Sequence, residues 1–470
     1  MNARIAPIRT PLALASLVLL AACGSLAPPV PVAQPGLPAT FNAAAPTEAP
    51  PPPPAPAAHA WDTFFTDPGL RQVVGLALSG NRPLRASAAA VERARVLLQV
   101  VRAPTLPEIE ANASTGRQRN AGATTGTASV GLSLSAWEID LFNRLGDLRD
   151  AALLRFEAQQ ETQRAAQLSL VAETAAAWLQ VAATRQQLTL AEALRDSQQR
   201  TLALTQRQYD AGAVSGLQLA RAQAAFEAAR GNAASAVTAA RQARLALELL
   251  AGQPVPETWL PRAQADVASA LPTVPEGLPA TVLLQRPDLR AAERALAATS
   301  LDIGAARAER FPRITLTAAA GRRSSDLEGL VSNGSGFWSL LPQLELPLFD
   351  AGLRAARADA AVVAQRAAVA QYEAALQAAF RDVADALAVR EGLQERLAAQ
   401  RAQVEAADRS LRLAEASYRA GAASQLDLLD AQRQQAASQQ GLVALRLLEQ
   451  VNRVTLLRAL GGGWPPGAGT

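Results

Sequence analysis

No lysine occurs anywhere in the 470 residues, so all 45 basic side chains are arginine, and cysteine, histidine and methionine each appear once. These shortages exclude much. Zinc sites draw on several Cys and His ligands, and nucleophile–base pairs and serine–histidine triads need a histidine held beside the nucleophile. Here the one histidine, His59, closes a proline-rich stretch. The single cysteine, Cys23, cannot form an internal disulfide. Beyond the first 22 residues no run of about 18 apolar residues occurs, which leaves no transmembrane helix. A basic patch is missing too. The formal charge of +4 falls to +2 without Arg4 and Arg9, and the other arginines alternate with Asp and Glu, so no nucleic-acid partner is expected. Neither an enzyme nor a metal or dissociable cofactor is expected from this inventory; carboxylates three apart, such as Asp427 and Asp430, are on an ordinary reading a solvated helix face.

What is present points to a large folded body. Hydrophobic residues make up 49% of the chain and charged ones 18%, so disorder is not the default. Ala, Leu, Arg, Gln and Glu dominate its middle and end, a mixture that favours long helices. Residues 1–22 follow the plan of a secretory signal peptide: Arg4 and Arg9, an apolar stretch too short to span a bilayer, then small residues. This leader ends in Leu20-Ala21-Ala22-Cys23, which resembles the bacterial lipobox, where the cysteine is acylated and becomes the mature N-terminus. The likeness implies a covalent lipid on Cys23, held by several acyl chains more firmly than by one. Ser25 after Gly24, where an aspartate would be the alternative, implies sorting to the outer membrane and contact with its lipid. Residues 23–60, with the run Pro50 to Pro54, read as an extended, semi-rigid tether.

The remainder is duplicated. Residues 200–223 (RTLALTQRQYDAGAVSGLQLARAQ) align without gaps on residues 409–432 (RSLRLAEASYRAGAASQLDLLDAQ), twelve of 24 positions being identical. Two of the three tyrosines, Tyr209 and Tyr418, coincide in this pair, each shortly before Ala-Gly-Ala. Upstream, Pro107, Ile109, Gly116 and Arg117 match Pro312, Ile314, Gly321 and Arg322. Two repeats follow, residues 61–260 and 261–470, each predicted to hold short helices, a β-hairpin and a long helical hairpin.

In the first repeat, helices over about 67–79 and 83–102 end before Pro104 and Pro107. Val130, Leu132 and Leu134 then alternate with Gly131, Ser133 and Ser135, the period of a strand with one apolar face. The Gly- and Thr-rich stretch 117–128 reads as a loop. The hairpins are placed at about 107–141 and 312–349, the second with a Ser/Gly-rich loop over 323–336. Residues 143–209 and 352–418 contain no proline and little glycine, and at 1.5 Å per residue each makes roughly 100 Å of helix. An Ala-Gly step ends each run, and Ser215 and Ser424 are suited to cap the return helices. The helical hairpins thus occupy about 143–250 and 352–460. Helices this long exclude a compact domain; side-by-side packing through alanines fits them better. Strands of 10 to 12 residues match a tilted transmembrane β-strand, with Trp137, Phe337 and Trp338 near their ends as candidates for an aromatic girdle. Four strands cannot close a membrane barrel, since single-chain barrels need about eight or more, so either they do not span the membrane or several chains pool them.

The lipobox, the twin hairpins, the pair of Tyr-x-Ala-Gly-Ala turns, Arg286-Pro287-Asp288-Leu289-Arg290 and the stretch Ile303 to Pro312 together resemble the TolC-like outer-membrane efflux family, in its NodT-type lipoprotein branch. The resemblance runs from about Trp61 to Leu460. It implies a mainly α fold with a membrane β-barrel. The protein would be a homotrimer in which each chain gives four strands to a shared twelve-stranded barrel and its helical hairpins to a long periplasmic tunnel. It would serve as the passive exit duct of a tripartite efflux pump, with a periplasmic adaptor (membrane fusion protein) and an inner-membrane transporter of the resistance-nodulation-division type as partners. The adaptor would dock at the turns Gly212-Ala213 and Gly421-Ala422. Tyr418, Asp427 and Asp430 match the family's periplasmic gate, though Ala423 stands where some relatives carry arginine and Gln218 where the first hairpin's acid would be. The rival reading, a lipid-anchored periplasmic adaptor or helical scaffold, predicts one helical hairpin and β-rich domains, which the duplication argues against.

Overall fold

The structure, a computed structural model, describes residues 24–38, 41, 60–261, 280–331 and 335–462. Its elements run α1 (Ala60–Phe64), α2 (Pro68–Gly80), α3 (Arg82–Arg102), β1 (Ile109–Asn120), β2 (Ala123–Ile139), α4 (Arg144–Asp210), α5 (Gly216–Ala251), α6 (Pro287–Ala308), β3 (Arg313–Ser324), β4 (Gly336–Glu345), α7 (Leu353–Arg419) and α8 (Gln425–Ala459). Both long helices, α4 and α7, have 67 residues. Two compact units emerge, and each draws on both sequence repeats. The first is built from the chain up to Pro35, Ala89–Glu161 and Arg290–Ala375, the second from Gly36–Ala88, Thr162–Leu289 and Leu376 onward.

The first unit contains one antiparallel sheet in the order β1-β2-β3-β4. Its central pair, β2 with β3, joins the two repeats through partners such as Leu132 and Ala320. Here the expected loop over 117–128 is corrected. Residues 117–120 complete β1, residues 123–128 open β2, and only Ala121 and Gly122 turn, with φ of 47° and 89°. Two successive left-handed residues give the hairpin turn whose twist matches the strands. The polar threonines at 124, 125 and 127 are β-branched and suit a pleated surface as well as a loop.

Alternation sorts the side chains. Ala111, Leu132, Ala320 and Trp338 lie in one cross-strand row, and Ile109, Leu134, Ala318 and Leu340 in another. This apolar face is exposed at Ile109, Val130, Leu132, Trp338, Leu340 and Leu344. The opposite face is polar: Asn112 donates to the Ser133 hydroxyl at 2.8 Å, and the Ser114 and Ser129 hydroxyls lie 2.8 Å apart. A soluble sheet hides its apolar face against a core, whereas apolar-out and polar-in is the membrane-barrel pattern. Of the three girdle candidates, Trp338 is on the apolar face and Trp137 joins it in the row of Leu316, beyond a bulge between Leu134 and Trp137. Phe337 is not. Adjacent residues of a strand point to opposite faces, and its ring lies under the Arg323 guanidinium, 4.7 Å away.

The described part of the tether, residues 24–38, has no regular secondary structure and is held along its length. Ser25 Oγ donates to Asp147 Oδ2 at 2.8 Å, the Arg307 guanidinium to the Leu26 carbonyl at 3.1 Å, and Gln34 N–H to Glu373 at 2.9 Å. Asp147, in the first turn of α4, is 1% exposed and also accepts from Asn143 at 2.7 Å. Burial holds its carboxyl above the usual carboxylate range, against the pull of those two hydrogen bonds.

The second unit carries the main core. In α2 the spacing of Leu70, Val73, Val74 and Ala77 buries one helical face. Asp67 caps this helix by accepting from Leu70 N–H at 2.9 Å. That face packs with Trp178 of α4, Leu247 of α5 and Val454 and Leu457 of α8. The Trp178 indole N–H finds the Trp259 carbonyl at 3.0 Å, so its ring is buried without a polar cost.

Candidate functional site

Both helical hairpins reverse in the same way. Gly212 and Gly421 have φ of 74° and 73°, a left-handed conformation that favours glycine. Ala213 N–H reaches back to the Gln208 carbonyl and Ala422 N–H to the Ser417 carbonyl, each at 2.8 Å. Gly212 and Gly421 N–H donate to the Tyr209 and Tyr418 carbonyls at 2.8 and 3.1 Å. This is the Schellman closure of a helix C-terminus. Both alanines are exposed, and nothing lies within 4 Å of the place a Cβ would take on either glycine. Each return helix opens with a capping box, Ser215 with Gln218 and Ser424 with Asp427. Gln218 thus has a cap role equivalent to that of Asp427, although it carries no charge.

Asp427 and Asp430 are both exposed and, three residues apart, share a face of α8. Each is engaged within its own helix. The Asp427 carboxylate accepts from Ser424 N–H and Oγ, and these bonds hold it below the usual carboxylate range. Asp430 pairs with Arg433 one turn on. Tyr418 OH donates to Gln208 Oε1 at 3.4 Å, a long contact. Arg221, one turn after Gln218, makes no hydrogen bond or ion pair with the described residues. It lines a cavity of about 430 Å³ with Leu194, Gln198, Leu426, Leu429 and Arg433.

A buried amide seam between α4 and α8 escaped the sequence reading. Gln425 Nε2 donates to Thr205 Oγ1 at 3.0 Å, and Gln198 Nε2 to Gln432 Oε1 at 2.9 Å, while Gln432 Nε2 donates to Ser197 Oγ at 3.1 Å. All of these residues except Ser197 are buried. A signal existed: Gln198 and Thr205, like Gln425 and Gln432, are seven residues apart, the spacing that keeps two side chains on one helical seam.

Cys23 and the leader lie outside the described residues. Among those described, no helix is long and apolar enough to cross a membrane, and no three His, Cys, Asp or Glu side chains converge as a metal site.

A four-stranded sheet with an exposed apolar face, on the same chain as two helical hairpins that each have one 67-residue arm, defines a subunit of an outer-membrane channel with a helical extension. The family model described as outer membrane efflux protein matches residues 73–253 and 278–462, one stretch in each repeat. The toluene efflux pump outer membrane protein TtgF of Pseudomonas putida is 39% identical over 412 residues, 86% of this chain and 85% of that one. The cation efflux system protein CusC of Escherichia coli is 37% identical over 409 residues, 86% of this chain and 88% of the other. Among solved structures, the open state of the Neisseria gonorrhoeae MtrE outer membrane channel superposes with a TM-score of 0.82 at 33% identity, covering 93% of this chain and 98% of that one. The chain belongs to the outer membrane efflux protein family.

Proposed function

We propose that this protein is the passive outer-membrane exit duct of a tripartite efflux pump, with no catalytic step of its own. One observation carries the reading: the sheet exposes its apolar face and, among the described residues, leaves β1 and β4 each without a neighbour on one side. An open sheet edge cannot stand in hydrocarbon. Three copies joined β4 to β1 give twelve strands and no edge, within the size range of outer-membrane barrels. The helical hairpins of the same copies build the periplasmic tunnel wall. A periplasmic adaptor docks at Gly212-Ala213 and Gly421-Ala422, where small exposed residues admit a partner's helical tip, and couples the duct to an inner-membrane transporter of the resistance-nodulation-division type. Asp427 and Asp430, repeated by the threefold axis, form carboxylate rings that admit cations and repel anions, with Tyr418 at the closed constriction. Acylation at Cys23 adds a second hold on the outer membrane. Cargo is set elsewhere in the pump, which is consistent with relatives of similar identity being named for toluene and for cations.

The test is assembly and conductance together. Protein extracted in mild detergent has the mass of a trimer and conducts ions across a planar bilayer. A monomer that conducts as well as the extracted protein removes the pooled-strand argument.

A further inference from the structure

The duplication places one junction inside the chain that can be compared with one left open. At the foot of the sheet, β2 leads through Glu138-Ile139-Asp140-Leu141-Phe142 into the first long helix, and β4 leads through Glu345-Leu346-Pro347-Leu348-Phe349 into the second. Glu, Leu and Phe recur at equivalent places. Within the chain, Ile139 pairs with Ile314 at the start of β3, and Phe142 packs on Phe311 with ring centroids 4.7 Å apart. Phe311-Pro312 is the second repeat's copy of Leu106-Pro107, two residues ahead of Ile109.

Among the described residues the second foot has no corresponding ring contact. Leu348 and Phe349 are each 90% exposed, and Leu106 is 61% exposed. Two leucine-and-phenylalanine steps of the same design therefore stand in opposite conditions, one packed and one bare. A bare pair of large apolar side chains needs a cover, and the chain carries the shape of that cover in its own first junction. It is present a second time, at Leu106-Pro107, beside the unpaired edge of β1.

We infer that Leu348 and Phe349 of one copy seat on Leu106 and Pro107 of the next, at the place where, within a copy, Phe142 packs on Phe311. The proposal rests on the reading that copies pool their strands, and it names the side chains that lock one copy to the next. It also separates the two junctions in kind. In the internal one Glu138 is neutralised by Arg144 at 2.7 Å and Arg313 at 3.1 Å. The position equivalent to Arg313 is Glu108, which would face Glu345 across the copies. Like charges there repel, with Arg313 as the in-chain register partner of Glu345, so the hold of the junction between copies is apolar.

The experiment uses the full chain in native outer membranes, with Leu106→Cys and Phe349→Cys combined and treated with a short bismaleimide. Covalent dimer and trimer on a denaturing gel, seen with the pair and with neither single variant, is the expected result. Phe142→Cys with Phe311→Cys reacts without a gain in mass and sets the reference yield for a packed pair. An oligomer of intact mass in mild detergent whose Leu106/Phe349 pair stays monomeric on the denaturing gel overturns the contact and leaves the channel reading standing. A monomer in mild detergent overturns both. Because Phe349 is bare in the subunit, Phe349→Ala leaves the subunit's own fold untouched. It should lower the temperature at which the oligomer dissociates, and an unmoved dissociation temperature counts against the contact.

Discussion

The carboxylate of Asp427 lies 2.9 Å from the backbone nitrogen of Ser424 and 2.7 Å from its hydroxyl, so a gate candidate is also the cap of its own helix. The two roles agree. A carboxylate fixed by two donors keeps its charge, which is what the proposed gate requires of it.

Asp427→Ala combined with Asp430→Ala is expected to lower cation selectivity and relieve block by multivalent cations. Single-channel recordings in which both properties match the parent would leave these aspartates as helix caps and surface charge.

Acidification refines the same point. The folded state holds the Asp427 carboxyl below its ordinary value, so the capped, charged form contributes above the unfolded pKa and is lost only as pH falls through the lower folded one. Cation selectivity should therefore persist at a pH where an unperturbed aspartate is half protonated. Ser424→Ala removes the donor hydroxyl and should move the loss to higher pH; an unshifted pH profile in that variant would break the link.

The amide seam gives a sharper energetic contrast. Gln432→Ala leaves the buried Gln198 amide without its acceptor, a loss of about 1–3 kcal/mol, and frees the half-buried Ser197 hydroxyl. Replacing Gln198 and Gln432 together by leucine removes both sides of the bond and should cost less than the sum of the single changes. A double-mutant cycle on thermal unfolding, with resting conductance recorded in parallel, checks it, and additive losses would mean the seam holds nothing together.

At the turns, Ala213→Trp with Ala422→Trp is expected to impair export and adaptor crosslinking while the trimer still forms. Gly421→Ala, which forces a side chain into a left-handed conformation, should destabilise by roughly 1 kcal/mol without blocking docking. Export at the parental level in the double tryptophan variant would move docking away from the turns.

For the anchor, Cys23→Ala should abolish acylation, detected as a loss of lipid mass, while the protein remains in the outer membrane through its strands. Recovery of the variant as a soluble periplasmic protein would make the lipid its only attachment.

How legible this was differs by element. The long helices were readable almost to the residue, because a proline-free run bounded by Ala-Gly and Ser has few other solutions: 143–209 and 352–418 became Arg144–Asp210 and Leu353–Arg419. The first β-turn was not, since threonine, serine and glycine suit both a loop and a polar strand face, and only cross-strand pairing to Ile109–Asn120 decides between them. Phe337 was misplaced as a girdle residue because an aromatic next to Trp338 draws attention before its alternation is counted. The Gln198, Gln425 and Gln432 contacts were hidden for another reason. On an alanine-rich helix a glutamine reads as solvated, and its burial depends on a second helix that the local pattern does not specify.

The pairing of β2 with β3 joins the two repeats of one chain by the same kind of edge-to-edge hydrogen bonding that, in the proposed assembly, β4 and β1 offer to a neighbour. A chain severed between Leu260 and Ala280 would give two half-length polypeptides, each contributing one β-hairpin and one helical hairpin, and six pieces rather than three would close the proposed ring.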